Sequence, residues 1–243
     1  MATAAVLGGS AALALASTLI GTQGPEELTG SSAADQIYGE AGDDRLLGDA
    51  SGDYLEAGSG DDEIDGGEGV DLVIGGTGDD RIDAGAGYDV VYAGAGEDVA
   101  LGGAGADTIF GQAGGDQLFG GSGADRIYAS LGGDFVDAGS GADRISSDQD
   151  NATILAGPGD DMVLTDGGAI EVNGGAGRDR IRTGAFEDRV NGGGGADSID
   201  TGIGDDVVRS RDGRRDRVRC GDGMDTVDAD AIDLLSGCEV IEA

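Results

Sequence analysis

The chain has 243 residues, 52 of them glycine, with four Phe, no Trp and no His, and its 49 acidic residues face 14 basic ones for a net charge of −35. So little bulky apolar material cannot offset chain entropy through an ordinary core. The lack of His excludes a Ser-His-Asp triad and an H-E-x-x-H zinc site, the lack of lysine excludes a P-loop, and the acidity argues against nucleic acid as a partner.

Residues 1–20 are small, apolar and uncharged. Ala4 to Ala16 reads as a signal-peptide h-region, with Ala14-Leu15-Ala16 as an A-x-A cleavage site before Ser17. No Lys or Arg precedes it, and the alternation of Leu13 and Leu15 suits an N-terminal capping strand equally well, so both readings stay open. The stretch is too short and too rich in alanine for a membrane span. Gly21 to Thr29 reads as a degenerate copy of the nine-residue unit that begins in earnest at Gly30, with Glu26 at its acidic position and Leu28 at its aliphatic one.

From Gly30 to Arg209 this unit, G-G-x-G-x-D-x-U-x with U aliphatic, repeats twenty times without a slip. The U position runs from Ile37 to Val208 and departs from Val, Ile or Leu only at Ala100. An acidic chain of this composition could be disordered, but disorder requires no register. Each unit divides into a six-residue glycine loop and a three-residue strand x-U-x that alternates out, in, out. Two units make one coil, so residues eighteen apart stack as parallel strands about 4.8 Å apart. The acid position then forms two files. One is Asp35, Asp53, Asp71, Asp89, Asp107, Asp125, Asp143, Asp161, Asp179 and Asp197. The other is Asp44, Asp62, Asp80, Asp98, Asp116 and Asp134, then Ala152 and Ile170, then Asp188 and Asp206. Stacked aspartates and loop carbonyls make oxygen cages that suit calcium better than magnesium, and without His, zinc and copper have no ligand set. Fifteen stacked pairs would carry +30, close to the charge that needs neutralising. Phe186 and Ser51 stand where their loops call for glycine, which places the neighbouring sites in doubt.

These units, for example Gly75-Gly76-Thr77-Gly78-Asp79-Asp80-Arg81-Ile82-Asp83 and Gly120-Gly121-Ser122-Gly123-Ala124-Asp125-Arg126-Ile127-Tyr128, resemble the hemolysin-type calcium-binding repeats of the RTX family. The resemblance covers about three quarters of the chain and implies calcium held between successive turns by paired Asp and loop carbonyls, in a secreted protein.

After Arg209 the phase slips by one residue, and Asp216, Val218, Asp225 and Val227 resume it. The stretch from Ala229 has no glycine loop and reads as a cap on the open end. Ten of the fourteen arginines lie from Arg178 onward, so residues 178–243 carry a net charge of only −6 against −29 before them. The run Arg214, Arg215, Arg217 and Arg219 reads as a solvated face. Cys220 and Cys238 are eighteen residues apart, one coil, which brings stacked Cα atoms within disulfide range and agrees with an oxidising compartment.

The expectation is an all-β, right-handed parallel β-roll of about ten coils: residues 1–20 a signal or cap, 21–209 the repeats, 210–243 degenerate repeats and a disulfide-stapled cap. Its function is expected to be calcium binding coupled to folding, with up to about fifteen Ca2+ ions, no catalytic residues, no membrane span, and a secreted or surface location. An alternative is a calcium-dependent accessory module of a secreted hydrolase. An ice-binding solenoid would want a regular outward threonine column, and the outward strand positions instead mix Arg, Tyr, Asp, Phe and Leu.

Overall fold

The computed structural model describes residues 15–148 and 151–242, so the proposed h-region up to Ala14, the first residue of its cleavage motif, lies outside the described residues. Among the described residues there is no helix; every regular element is a strand, and all strand pairs are parallel. Two long sheets stand side by side. Sheet A begins at Thr18–Ile20 and continues through Gln36–Ala41, Tyr54–Ser59 and Leu72–Thr77. Sheet B begins at Glu27–Thr29 and continues through Arg45–Leu47, Glu63–Asp65 and Arg81–Asp83. The chain alternates between them, and the result is a β-solenoid of about twelve turns rather than the ten expected. The extra turns come from both ends: Thr18–Ile20 already pairs with Gln36–Tyr38, and the segment read as a cap forms two more strands, Leu234–Ser236 and Val240–Glu242.

The register follows the repeat. Ile37 lies against Leu55 and Leu55 against Val73 in sheet A, while Leu46 lies against Ile64 and Ile64 against Ile82 in sheet B. These U residues are completely or almost completely buried, and together they form the core. A second inward column lies two residues further on, at Ala57, Ala84, Ala93, Ala129, Ala138 and Ala156, and passes to Thr183, Thr201 and Cys220 late in the chain. The repeat pattern scores this position as glycine, so its contribution to the core was not legible. Thr183 Oγ1 donates to the Thr201 carbonyl at 3.0 Å and Thr201 Oγ1 to that of Cys220 at 2.9 Å, while the hydroxyls of Ser147 and Thr165 at the same position are buried without a partner.

The glycines serve coil stacking. Gly76 and Gly78 have φ of 121° and 126°, and a Cβ on either would lie 2.0 Å from the carbonyl oxygen of Gly58 or Gly60 in the preceding coil. Ser51 and Phe186 adopt the same left-handed backbone, at φ 77° and 82°, despite the steric cost to a residue with a side chain. Their loops therefore keep the common path, and Asp53 and Asp188 remain buried in their files.

Beyond Arg209 the coil length changes while the strands stay in line. Ser198 pairs with Arg217 and Val207 with Thr226, nineteen residues on; Arg217 pairs with Leu234, and Thr226 with Val240, after shorter intervals. The loops absorb the difference. Cys220 and Cys238 form a disulfide with Cα atoms 5.3 Å apart. Their spacing of eighteen does not put them in register, because the last coil is shorter: Arg219 stands opposite Ser236. Proximity at a coil corner, rather than strict stacking, joins them.

Candidate metal centre

The strand alternation that turns each U residue inward also turns inward the aspartate two residues before it. All eighteen aspartates singled out in the sequence are buried, none more than 3 % exposed. They form the two expected files at the loop-to-strand corners. Along each file the backbone N–H of one aspartate donates to Oδ1 of the aspartate in the next coil: Asp35 to Asp53 at 2.7 Å, Asp80 to Asp98 at 2.8 Å, Asp107 to Asp125 at 2.8 Å. Oδ1 is thus committed to holding the coils in step.

Oδ2 is not. From Asp44 to Asp125 in both files, and at Asp143, Asp161, Asp179, Asp188, Asp197 and Asp206, this second oxygen is buried without a hydrogen-bond partner. Where the loop opens on glycine, as at Asp44, Asp53, Asp71, Asp80, Asp107, Asp116, Asp125, Asp179 and Asp197, Oδ2 lies beside that glycine. At Asp80 and Asp44 a carbonyl of the next coil converges there too. A Cβ built on Gly75 would sit 2.5 Å from Asp80 Oδ2 and 2.3 Å from the Ala93 carbonyl oxygen; on Gly39, 2.6 Å from Asp44 Oδ2 and 2.5 Å from the Ala57 carbonyl oxygen. Leaving a buried anionic oxygen unpaired is costly, and repeating the feature in coil after coil calls for a common partner. Among the described residues no three His, Cys, Asp or Glu side chains converge on one point. A cation at these corners would therefore draw on carboxylates from the file and on backbone carbonyls. An all-oxygen set of this kind fits a hard cation such as calcium.

The sequence pattern of the RTX calcium-binding nonapeptide repeat (4 copies) matches residues 20–55, 47–82, 74–109, 101–136, 110–145, 137–169 and 173–208. The chain belongs to this family. Its fold is similar to a solved structure described as a hyperactive, Ca2+-dependent, beta-helical antifreeze protein from an Antarctic bacterium, with a TM-score of 0.51 and 24 % identity over 90 % of this chain and 82 % of that one. At that identity the likeness shows the fold alone. No match was found among curated proteins.

Burial dominates the electrostatics of this RTX solenoid. It pushes Asp80, Asp116 and Asp161 up to about 7, helped by the neighbouring carboxylates of the same file and opposed by the backbone N–H bond. Asp53, Asp62, Asp89, Asp143, Asp179, Asp188 and Asp197 rise to about 6 for the same first reason. Asp35, at the open end, behaves oppositely. Burial raises it, but hydrogen bonds from Ser17 and Ser31 together outweigh burial and hold it below the ordinary value.

The files extend beyond the residues singled out by sequence. The Asp197 N–H donates to Asp216 Oδ1 at 2.8 Å and the Asp206 N–H to Asp225 Oδ1 at 2.9 Å, and both new carboxylates are buried with Oδ2 unpartnered. Asp216 in turn donates to Asp233 Oδ1 and Asp225 to Glu239 Oε2, so each file ends on an acid. At the other end the Glu26 N–H donates to Asp44 Oδ1. A signal was present in each case, an acid two residues before an aliphatic residue: Val218 and Val227 are buried, Leu28 and Leu235 partly so, and Ile241 is exposed. At the interruption, Ala152 and Ile170 are buried in the file, and the Ile170 N–H still donates to Asp188 Oδ1 at 2.9 Å.

Proposed function

We propose that this chain is a non-catalytic calcium-binding solenoid whose folding depends on the ions it binds. The single observation that carries the reading is the file of buried Oδ2 atoms facing loop carbonyls, each a charge that cannot remain unpaired in a folded, neutral-pH molecule. The ligands are Asp35, Asp44, Asp53 and their successors in both files to Asp206. The pairs Asp197–Asp216 and Asp206–Asp225 raise the expected complement from about fifteen ions to about seventeen. Binding free energy is then folding free energy. Such coupling suits a protein that meets millimolar calcium only outside the cell, and the Cys220–Cys238 disulfide supports an extracytoplasmic location.

The test is a calcium titration followed by circular dichroism, with native mass spectrometry of the loaded protein. A disordered spectrum in chelator, β structure at millimolar calcium and poor rescue by magnesium are expected. Equal β content with and without calcium at low ionic strength would refute the coupling. The antifreeze activity named for the structural neighbour is not part of the proposal, since the outward strand positions carry a mixture such as Tyr92, Phe110, Arg126, Arg144 and Asp200 rather than a threonine column.

A further inference from the structure

Arginine is handled in two different ways along this molecule. In sheet B the outward residues Glu27, Arg45, Glu63 and Arg81 stack in successive coils, so charges alternate. Arg45 lies 3.7 Å from both Glu27 and Glu63. In sheet A near the C-terminal end the same register places Arg180, Ser198 and Arg217 in successive coils. The arrangement is that of Arg45, Glu63 and Arg81, with the central carboxylate replaced by a short hydroxyl.

The residues just ahead of the buried aspartates repeat the arrangement. Arg178, Ala196 and Arg215 precede Asp179, Asp197 and Asp216. A cleft of about 390 Å3 opens over the small central coil, walled by Arg178 and Arg180 on one side and Arg215 and Arg217 on the other. The two walls are two strand spacings apart, roughly 10 Å. Arg178 is paired with Asp160 at 2.6 Å, and Arg215 donates from Nε to the Ile232 carbonyl at 3.1 Å. Arg180 and Arg217 have no acidic partner within ion-pair distance among the described residues. Arg180 and Arg217 line the cleft on either side of Ser198, with Asp160 already committed to Arg178, and on a chain of net charge −35 they form a place where an outside anion completes the alternation.

We propose that this cleft binds an oxyanion group of the phosphate or sulfate class, free or carried as a pendant group on a sugar. The group takes the position that Glu63 fills between Arg45 and Arg81. The acidic remainder of the surface repels a long polyanion, so the ligand is a single group or a short segment. The proposal stands on the arginine register and is independent of how many calcium ions are bound.

Calcium-loaded protein would be titrated at low ionic strength with sodium sulfate and, separately, with glucose 6-phosphate, following the arginine Nε–H signals by NMR. Saturable shifts at Arg180 and Arg217, and not at Arg45, are expected. Arg180→Gln with Arg217→Gln should weaken binding at least tenfold. Ser198→Glu should abolish it by supplying the missing carboxylate in place, with the calcium midpoint of folding unchanged in both variants. Binding of both probes indicates a general oxyanion cleft; binding of glucose 6-phosphate alone assigns the sugar-borne source. Absence of saturable shifts with either probe, or equal affinity in Ser198→Glu, overturns the proposal. Failure of wild-type protein to gain β structure with calcium would overturn the calcium reading instead, so the two failures are separable.

Discussion

The two aspartate files are the same device built twice, and they differ in one respect. The file beginning at Asp35 holds a carboxylate in every coil through Asp216. The file beginning at Asp44 loses it in two consecutive coils, where Ala152 and Ile170 take its place. The strands do not part there: Val136, Ile154 and Val172 remain stacked in register, and Ile170 is 2 % exposed. Packing an apolar side chain at the corner serves as well as a carboxylate for holding neighbouring coils together. What the carboxylate adds is a buried charge that needs a counter-ion. On the proposed function, the interrupted file is locally independent of metal, while the continuous file depends on it throughout.

The largest expected effect is at mid-file. Asp107 lies between Asp89 and Asp125, and Asp107→Ala removes an oxygen donor from two carboxylate-paired corners at once, whereas Asp188→Ala, beside the apolar gap, disturbs one such corner, that with Asp206, and the hydrogen bond from Ile170. The calcium midpoint by circular dichroism should rise about threefold or more for Asp107→Ala and by less than half as much for Asp188→Ala. Equal shifts would mean that coils fold independently of their neighbours.

Protons should substitute for calcium, and this separates the files from the core. In the metal-free fold burial raises the carboxyls of the files above the ordinary 3.8, to about 6 at Asp89 and to about 7 at Asp80, Asp116 and Asp161, with Asp35 the exception. A raised folded value means that the folded state binds the proton more tightly. The stabilisation is complete below about pH 4 and is lost as pH rises through 6 to 7. Calcium-free protein should therefore gain β structure on acidification from pH 8 to pH 4.5. With calcium present the trend should reverse, because protons then compete for the ligands. A flat calcium-free profile would remove the carboxylates from the account of instability.

Ile170→Asp sharpens the comparison by partly repairing the file. It places a carboxylate one coil before Asp188, in a loop that retains Gly167 and Gly168. Native mass spectrometry should show one more bound ion, and the variant should be less stable than wild type only when calcium is removed.

The smallest effect concerns the end. Closing a loop of eighteen residues contributes roughly 3 kcal/mol by the chain-entropy argument, less if strained. Reduction of Cys220–Cys238 should open residues 221–237 to proteolysis while the coils from Asp35 to Asp143 stay protected, read by peptide mapping.

Most of this architecture was legible because one period governs both the core and the candidate site: the residue two before each buried aliphatic is the buried acid. What escaped was wherever chemistry persisted without the count. Asp216 and Asp225 come after a loop one residue longer, and Asp233 and Glu239 after loops too short and too poor in glycine to score as repeats. The inward column from Ala57 to Thr201 was hidden because the pattern scores that position as glycine, whereas alanine and threonine occupy it in many coils. The Arg180–Ser198–Arg217 arrangement was hidden differently. It depends on which residues become neighbours across coils of eighteen and nineteen residues, and a run of arginines along the chain does not show it.

The unequal coils near the C-terminal end have a consequence for the shape of the whole. Ser198 to Arg217 spans nineteen residues and Arg217 to Leu234 seventeen, yet each step adds one strand to sheet A. The rod therefore advances by one strand spacing, about 4.8 Å, whatever the circumference of the turn. About twelve turns give a rod roughly 58 Å long. Extra residues in a loop make it wider at that point; only a complete added turn makes it longer.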